Sequence, residues 1–181
     1  MIYLLKASAF LCVSIASVTA ATNPPDTIFF NGKILTVDPQ FSVAEAIAIS
    51  DGRIVAVGNN ALDKNTTGVQ NVALGSAALD ANTTGDLNVA IGYHALGSNV
   101  STGANTAVGN NALFFTTTGA NNVAIGQGAM YINSTGTLNV AVGNASLGLN
   151  TTGANNVAVG IGAGYANTTG SSNTYIGDDA G

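Results

Sequence analysis

The pentapeptides Asn122-Val-Ala-Ile-Gly126, Asn139-Val-Ala-Val-Gly143 and Asn156-Val-Ala-Val-Gly160 begin 17 residues apart. The same step carries the pattern back through Asn105-Thr-Ala-Val-Gly109, Asn88-Val-Ala-Ile-Gly92 and Asn71-Val-Ala-Leu-Gly75, and forward to Asn173-Thr-Tyr-Ile-Gly177. Two further columns keep the period. One runs Ala61-Leu62, Ala78-Leu79, Ala95-Leu96, Ala112-Leu113, Ala129-Met130, Ser146-Leu147, Ala163-Gly164; the other is Asn65-Thr-Thr-Gly68, recurring at Asn82, Asn150 and Asn167 with variants at Thr116 and Asn133. Ile54-Val-Ala-Val-Gly58 falls one period before Asn71. Self-similarity at a fixed period is the signature of a stacked repeat. One irregularity says what is conserved along the stack: in Asn99-Val-Ser-Thr-Gly103 the glycine arrives one residue late, yet Asn105 is on time. The length of a rung is held, and the position of its glycine is not.

A helix is poorly compatible with a glycine closing every apolar pentapeptide and a Thr-Thr-Gly in each unit, whereas a strand suits both. Alternation then puts Val72, Leu74 and their equivalents on one face and Ala73 with its equivalents on the other. The pattern predicts an all-β chain, a parallel β-solenoid (β-roll) of about seven 17-residue rungs preceded by a short β-hairpin segment. Rungs stacked about 4.8 Å apart make a rod of roughly 35 Å. In it the Val and Ile/Leu columns, with Leu62 to Leu147 opposite, are expected to fill a thin interior. Two ladders are expected to be structural: Asn71, Asn88, Asn105, Asn122, Asn139, Asn156 and Asn173, bonding amide to amide between rungs, and Gly75, Gly92, Gly109, Gly126, Gly143, Gly160 and Gly177 at the corner. The column Ala73, Ala90, Ala107, Ala124, Ala141 and Ala158 has two readings. It is an exposed apolar stripe that a three-fold bundle would bury, or it faces another layer of its own rung.

Composition narrows the function. Of 181 residues 46% are hydrophobic, 7% charged and 6% aromatic, with 23 glycines and no Trp, against about 25% charged in an ordinary soluble domain. Lys6, Lys33, Arg53 and Lys64 are the only cations, so residues 65–181 have none. That excludes a phosphate-neutralising nucleic-acid surface and a polybasic membrane patch. The repeats also lack the Gly-Gly-x-Gly-x-Asp pattern of calcium-binding solenoids. No cofactor and no metal are expected.

Residues 1–20 have the layout of a signal peptide: Lys6, an apolar run Ala7 to Val18, and Val18-Thr19-Ala20 before the cut. The single cysteine, Cys12, lies within it, so an exported chain would be free of cysteine. Localisation is therefore expected to be the cell surface, the outer membrane or the extracellular space.

Residues 21–58 read as a few short strands, with Asn31-Gly32 and Asp51-Gly52 as two-residue hairpin turns. The stretch Asp26 to Gly58 resembles the N-terminal β-sandwich segment of metal-dependent amidohydrolases. That resemblance implies a following barrel with a His-x-His pair and further metal ligands. The chain has one histidine, His94, and about 120 residues after the match, whereas a barrel takes 200 or more. No catalytic role is carried over, His94 is expected to be a solvated surface residue, and the chain is not expected to be an enzyme.

From Ile54 to Gly181, and so across the repeat domain at 59–181, Asn-Val-Ala-Val-Gly with Gly-x-x-Ala-Leu resembles the head repeats of trimeric autotransporter adhesins, although those have a shorter period. The resemblance implies left-handed parallel β-rolls that trimerise on a bacterial surface. The expected function is that of an exported, non-catalytic structural or adhesive repeat protein, a homotrimer or a rod that self-associates end to end. The end-to-end reading rests on the absence of any capping element after the mid-rung stop at Gly177 to Gly181. Alternatives are an inactive amidohydrolase-derived fragment fused to repeats, a phage tail-fibre segment, or an ice-binding solenoid using Thr66/Thr67, Thr83/Thr84 and their equivalents. The sequons at Asn65, Asn82, Asn99, Asn133, Asn144, Asn150 and Asn167 are expected to be by-products of the repeat.

Overall fold

The structure, a computed structural model, describes the backbone of residues 27–35, 43–50 and 53–181, and side chains from residue 56 onward. β1 (Thr27–Leu35), β2 (Val43–Ser50) and β3 (Arg53–Val57) form an antiparallel meander. β3 then pairs in parallel with β4 (Val72–Leu74), and the parallel series continues through β5 (Val89–Ile91), β6 (Thr106–Val108), β7 (Val123–Ile125), β8 (Val140–Val142), β9 (Val157–Val159) and β10 (Thr174–Ile176). The result is one ten-stranded sheet in chain order. As the period predicts, the fold is an all-β solenoid of about seven turns, with no helix among the described residues. Ala73 faces Ala90, which faces Ala107, and so on at the 17-residue step.

Each strand of the solenoid is three residues long because the glycine after it cannot continue it. Gly75, Gly92 and their equivalents have φ between +120° and +138°, a region essentially reserved for glycine. A Cβ on Gly75 would come within 2.6 Å of the carbonyl oxygen of Gly92 on the next rung. The chain then turns through two left-handed positions, at Ala77 (φ 56°) and Leu79 (φ 52°) in the second rung, repeated at His94 and Leu96 and at Asn111 and Leu113. Left-handed backbone costs an L residue about 1–2 kcal/mol. Here it swings each leucine into the coil: Leu79, Leu96, Leu113, Met130 and Leu147 are fully buried, a gain of roughly 1.5–3 kcal/mol each.

The two faces of the strand are reversed from the expected arrangement. Ala73, Ala90, Ala107, Ala124, Ala141 and Ala158 are buried at 0–1% exposure, while Val72 and Leu74 are 43% and 47% exposed. The alanine column is therefore no oligomer stripe, and the valine, leucine and isoleucine columns do not fill the interior. The cause is width. A 17-residue coil that already encloses a leucine and the alanine before it has room for only a methyl group from the strand opposite. The last rung tests this complementarity. Gly164 replaces the leucine (φ 62°), Tyr175 replaces the alanine, and a Cβ on Gly164 would lie 2.6 Å from the Tyr175 ring. The tyrosine occupies the volume the leucine gives up and packs on the core.

At the other end, Asn31-Gly32 is not a hairpin turn. Both residues lie inside β1, where the register shifts between Phe30 and Ile34. Three residues there oppose one, a β-bulge in which glycine supplies the freedom that the irregular backbone needs. Ser50 pairs with Arg53 across Asp51-Gly52, but those two turn residues lie outside the described residues, as do the signal-like residues 1–20 and Cys12. β3 belongs to both parts of the chain, antiparallel to β2 and parallel to β4. The end of the rod at 177–181 is also bonded to the stack. Asp179 N–H donates to Ile161 O at 2.8 Å and Gly164 N–H to Ala180 O at 2.8 Å.

Candidate functional site

No group of three His, Cys, Asp or Glu comes together among the described residues. The chemistry of the repeat resides instead in its ladders and its surface columns. Asn71 Nδ2 donates to Gly85 O at 2.7 Å, and Asn82 Nδ2 donates to the same oxygen at 3.0 Å. The motif recurs with Asn122 and Asn133 on Gly136 O, Asn139 and Asn150 on Gly153 O, and Asn156 and Asn167 on Gly170 O, all between 2.8 and 3.0 Å. In these rungs two amides share one carbonyl and so occupy both of its lone pairs, satisfying an otherwise buried acceptor.

The side-chain oxygens link the rungs. Asn71 Oδ1 accepts from Asn88 N–H at 2.9 Å, and the chain of bonds continues to Asn173. Amide-to-amide contact in this first ladder is secondary, 3.1–3.2 Å between Asn105, Asn122, Asn139 and Asn156. In the second ladder it dominates: Asn82 to Asn65 at 2.8 Å, Asn99 to Asn82 at 3.1 Å, Asn150 to Asn133 at 2.7 Å and Asn167 to Asn150 at 3.0 Å. The expected site residues included only the first ladder. The recurring Asn-Thr-Thr-Gly was the signal for the second.

Thr116 interrupts it. The residue is fully buried, and its Oγ1 has no partner among the described atoms. Gly119 O consequently accepts only Asn105 Nδ2, at 2.9 Å. In the rung with the displaced glycine, Thr102 sits where the glycine would be, and its carbonyl accepts from Asn88 and Asn99 at 2.9 and 3.0 Å. The clamp needs the carbonyl, so the glycine can move.

The outer face of the sheet carries two parallel apolar columns. One runs Val72, Val89, Thr106, Val123, Val140, Val157, Thr174; the other runs Leu74, Ile91, Val108, Ile125, Val142, Val159, Ile176. Every member is half-buried or exposed, up to 72% at Ile176. The threonine corner is different. Thr66, Thr83, Thr117 and Thr151 donate their hydroxyls to carbonyls of the next rung at 2.9–3.0 Å. Half of each Thr-Thr pair is thereby engaged in stacking, leaving Thr67, Thr84, Thr118 and Thr152 exposed.

His94 lies at the surface but is only partly solvated. It is half-buried between two rings, edge-on to Tyr93 at 4.2 Å and to Phe114 at 5.2 Å. Charge plays little part in the repeats: the ion pair Lys64–Asp80, at 3.3 Å, lies on the surface near their start, where such a pair contributes at most about 1 kcal/mol. Of the sequon asparagines, Asn82, Asn99, Asn133 and Asn150 are fully buried in the ladder, while Asn144 is exposed. No protein-family model, curated protein or solved structure matches the chain.

Proposed function

We propose that the chain is an exported, non-catalytic structural rod of a bacterial surface or fibre that acts by adhesion and works as a laterally associated homotrimer. The observation that supports this best is the outer sheet face. Two ladders, of Val, Leu and Ile with Thr106 and Thr174, stand half-buried or exposed over seven rungs, and contiguous apolar surface of that extent marks a contact surface. A partner must keep step with side chains repeating about every 4.8 Å, which another copy of the same coil does at every rung. Identical flat ladders interdigitate into dry interfaces.

Lateral contact is favoured over end-to-end stacking because the two edges of the sheet differ. Among the described residues one edge is β1, the outer strand of an antiparallel meander, and the other is β10, a three-residue parallel strand. Stacking one on the other would not reproduce the contact between internal rungs. Export and surface location rest on the signal-like pattern of residues 1–20 and the absence of cysteine after Cys12. The amidohydrolase-like strands serve a structural purpose in this reading, because β3 is the template on which the first parallel strand is laid.

The test is size-exclusion chromatography with light scattering on the full chain and on the variant Val123→Glu/Ile125→Glu. The wild type is expected to run as a trimer. The variant is expected to run as a folded monomer with nearly unchanged thermal unfolding, since both side chains lie on the surface of one copy. A monomeric wild type at tens of micromolar would contradict the reading.

A further inference from the structure

Five rings on one corner form the largest departure from the repeat. Tyr93, His94, Phe114, Phe115 and Tyr131 span three consecutive rungs, where the equivalent places in neighbouring rungs hold Ser76, Ala77, Gly97, Ser98 and Gly148. The backbone does not need them. Ala81 N–H to Gly97 O, Ser98 N–H to Phe114 O, Phe115 N–H to Tyr131 O and Ile132 N–H to Gly148 O are the same bond, 3.0–3.3 Å, with or without a ring. A feature that the fold does not require, and that leaves Tyr93 50% and Phe115 44% exposed, calls for a role outside the fold.

The rings are also held in place. Phe114 packs against Gly97, where a Cβ would be only 2.8 Å from the edge of its ring. Tyr131 stacks on Phe114 with an interplanar angle of 17° at 5.8 Å, and Phe115 stands edge-on to both, at 4.5 and 5.2 Å. Such contacts contribute beyond area burial and fix the ring planes. A preorganised platform of this kind loses little freedom when a ligand settles on it.

Its chemistry selects the ligand. Residues 87–177 contain no Asp, Glu, Lys or Arg, so the rungs that carry the rings have no charged side chain of their own, and the charges nearest in the same columns, Asp80 and Lys64, are paired with each other at 3.3 Å. Beside them stand amides and a hydroxyl in the same columns: Asn110 after Tyr93, Asn111 after His94 and Ser98 before Phe115. A wholly apolar partner would leave those groups without hydrogen bonds at an unfavourable cost. A pyranose has an apolar C–H face and a rim of hydroxyls, which suits rings bordered by neutral donors and acceptors.

We infer that this corner binds a neutral saccharide chain, with sugar faces on Tyr93, Phe115 and Tyr131 and hydroxyls bonded to Asn110, Asn111 and Ser98. The inference deepens the adhesive reading by naming the class of ligand, and none of its residues belongs to the two columns of the association face. The test titrates the full chain with four neutral hexasaccharides, namely β-1,4-glucan, α-1,4-glucan, β-1,4-mannan and β-1,4-N-acetylglucosamine, and with heparin and choline as charged controls. Binding is read from tyrosine emission, which no Trp obscures, and by calorimetry.

At least one neutral hexasaccharide is expected to bind, and the variant Tyr93→Ser/Phe115→Ser/Tyr131→Gly is expected to bind it at least about tenfold more weakly. The variant's melting temperature should remain within a few degrees, because each new residue is the one a neighbouring rung carries. Equal affinity of variant and wild type, no binding to any of the four, or binding to heparin or choline alone overturns the inference. Light scattering on the same samples reports association separately, so a rod that assembles but ignores saccharides contradicts only this site.

Discussion

Inside the coil and outside it, the same period has had opposite consequences. The inward strand position is alanine from Ala56 through Ala158, and the buried amides recur with a single interruption, at Thr116. The first outward position after the corner glycine runs Ser76, Tyr93, Asn110, Gln127, Asn144, Ile161 and Asp178. Neighbouring coils share every interior contact, so a change in one rung disturbs two interfaces, while an outward residue meets only solvent or a ligand. Uniform columns therefore report packing, and drifting columns report what the surface is free to do.

The largest loss of stability is expected at the corner. Gly109→Ala puts a Cβ about 2.5 Å from the carbonyl oxygen of Gly126 in a backbone region that only glycine tolerates. The cost should be about 3–5 kcal/mol, read as lost cooperative unfolding or a large drop in melting temperature. Next comes overpacking of the inner column: Ala124→Val should cost about 1–3 kcal/mol. The reverse change one residue earlier, Val123→Ala, should stay within about 0.5 kcal/mol in a monomeric background. Similar losses from the two would erase the distinction between inside and outside.

The exchanged pair in the last rung sharpens the point. Tyr175→Ala alone leaves the space beside Gly164 empty and should cost about 2–4 kcal/mol. Adding Gly164→Leu restores the arrangement of the other rungs, so a double-mutant cycle should yield a favourable coupling of about 1–3 kcal/mol. The smallest effect has the opposite sign. Thr116→Asn supplies the missing ladder residue, with a donor for Gly119 O and Asn99 Oδ1 and an acceptor for Asn133 Nδ2. Thermal or denaturant unfolding should show a gain of about 1–2 kcal/mol.

The period and the strand assignment could be read directly because glycine and Asn-Thr-Thr recur in strict step, and the stack obeys that step to the residue. The direction of the strand faces could not be read from hydropathy, which ranks Val and Ile as interior and gives no measure of coil width. A better signal was present: Thr106 and Thr174 occupy the valine column, where burial would leave a hydroxyl in need of a partner, while alanine is kept opposite from Ala56 through Ala158. Asn31-Gly32 misled for a related reason. The dipeptide allows the chain to turn, but the pairing of Phe30 with Ala46 and of Ile34 with Ala44 absorbs it as a bulge. The aromatic corner was invisible as a site because its five rings lie up to 38 residues apart and meet only when rungs stack.

In the proposed assembly the outward Val and Ile face is the contact between copies. Oxidative cross-linking of Val140→Cys in a Cys12→Ser background tests it directly, with Thr118→Cys on the threonine corner as the comparison. Val140→Cys is expected to give covalently joined copies under mild oxidation while Thr118→Cys stays single. Cross-linking at Thr118→Cys with none at Val140→Cys would contradict the proposed assembly.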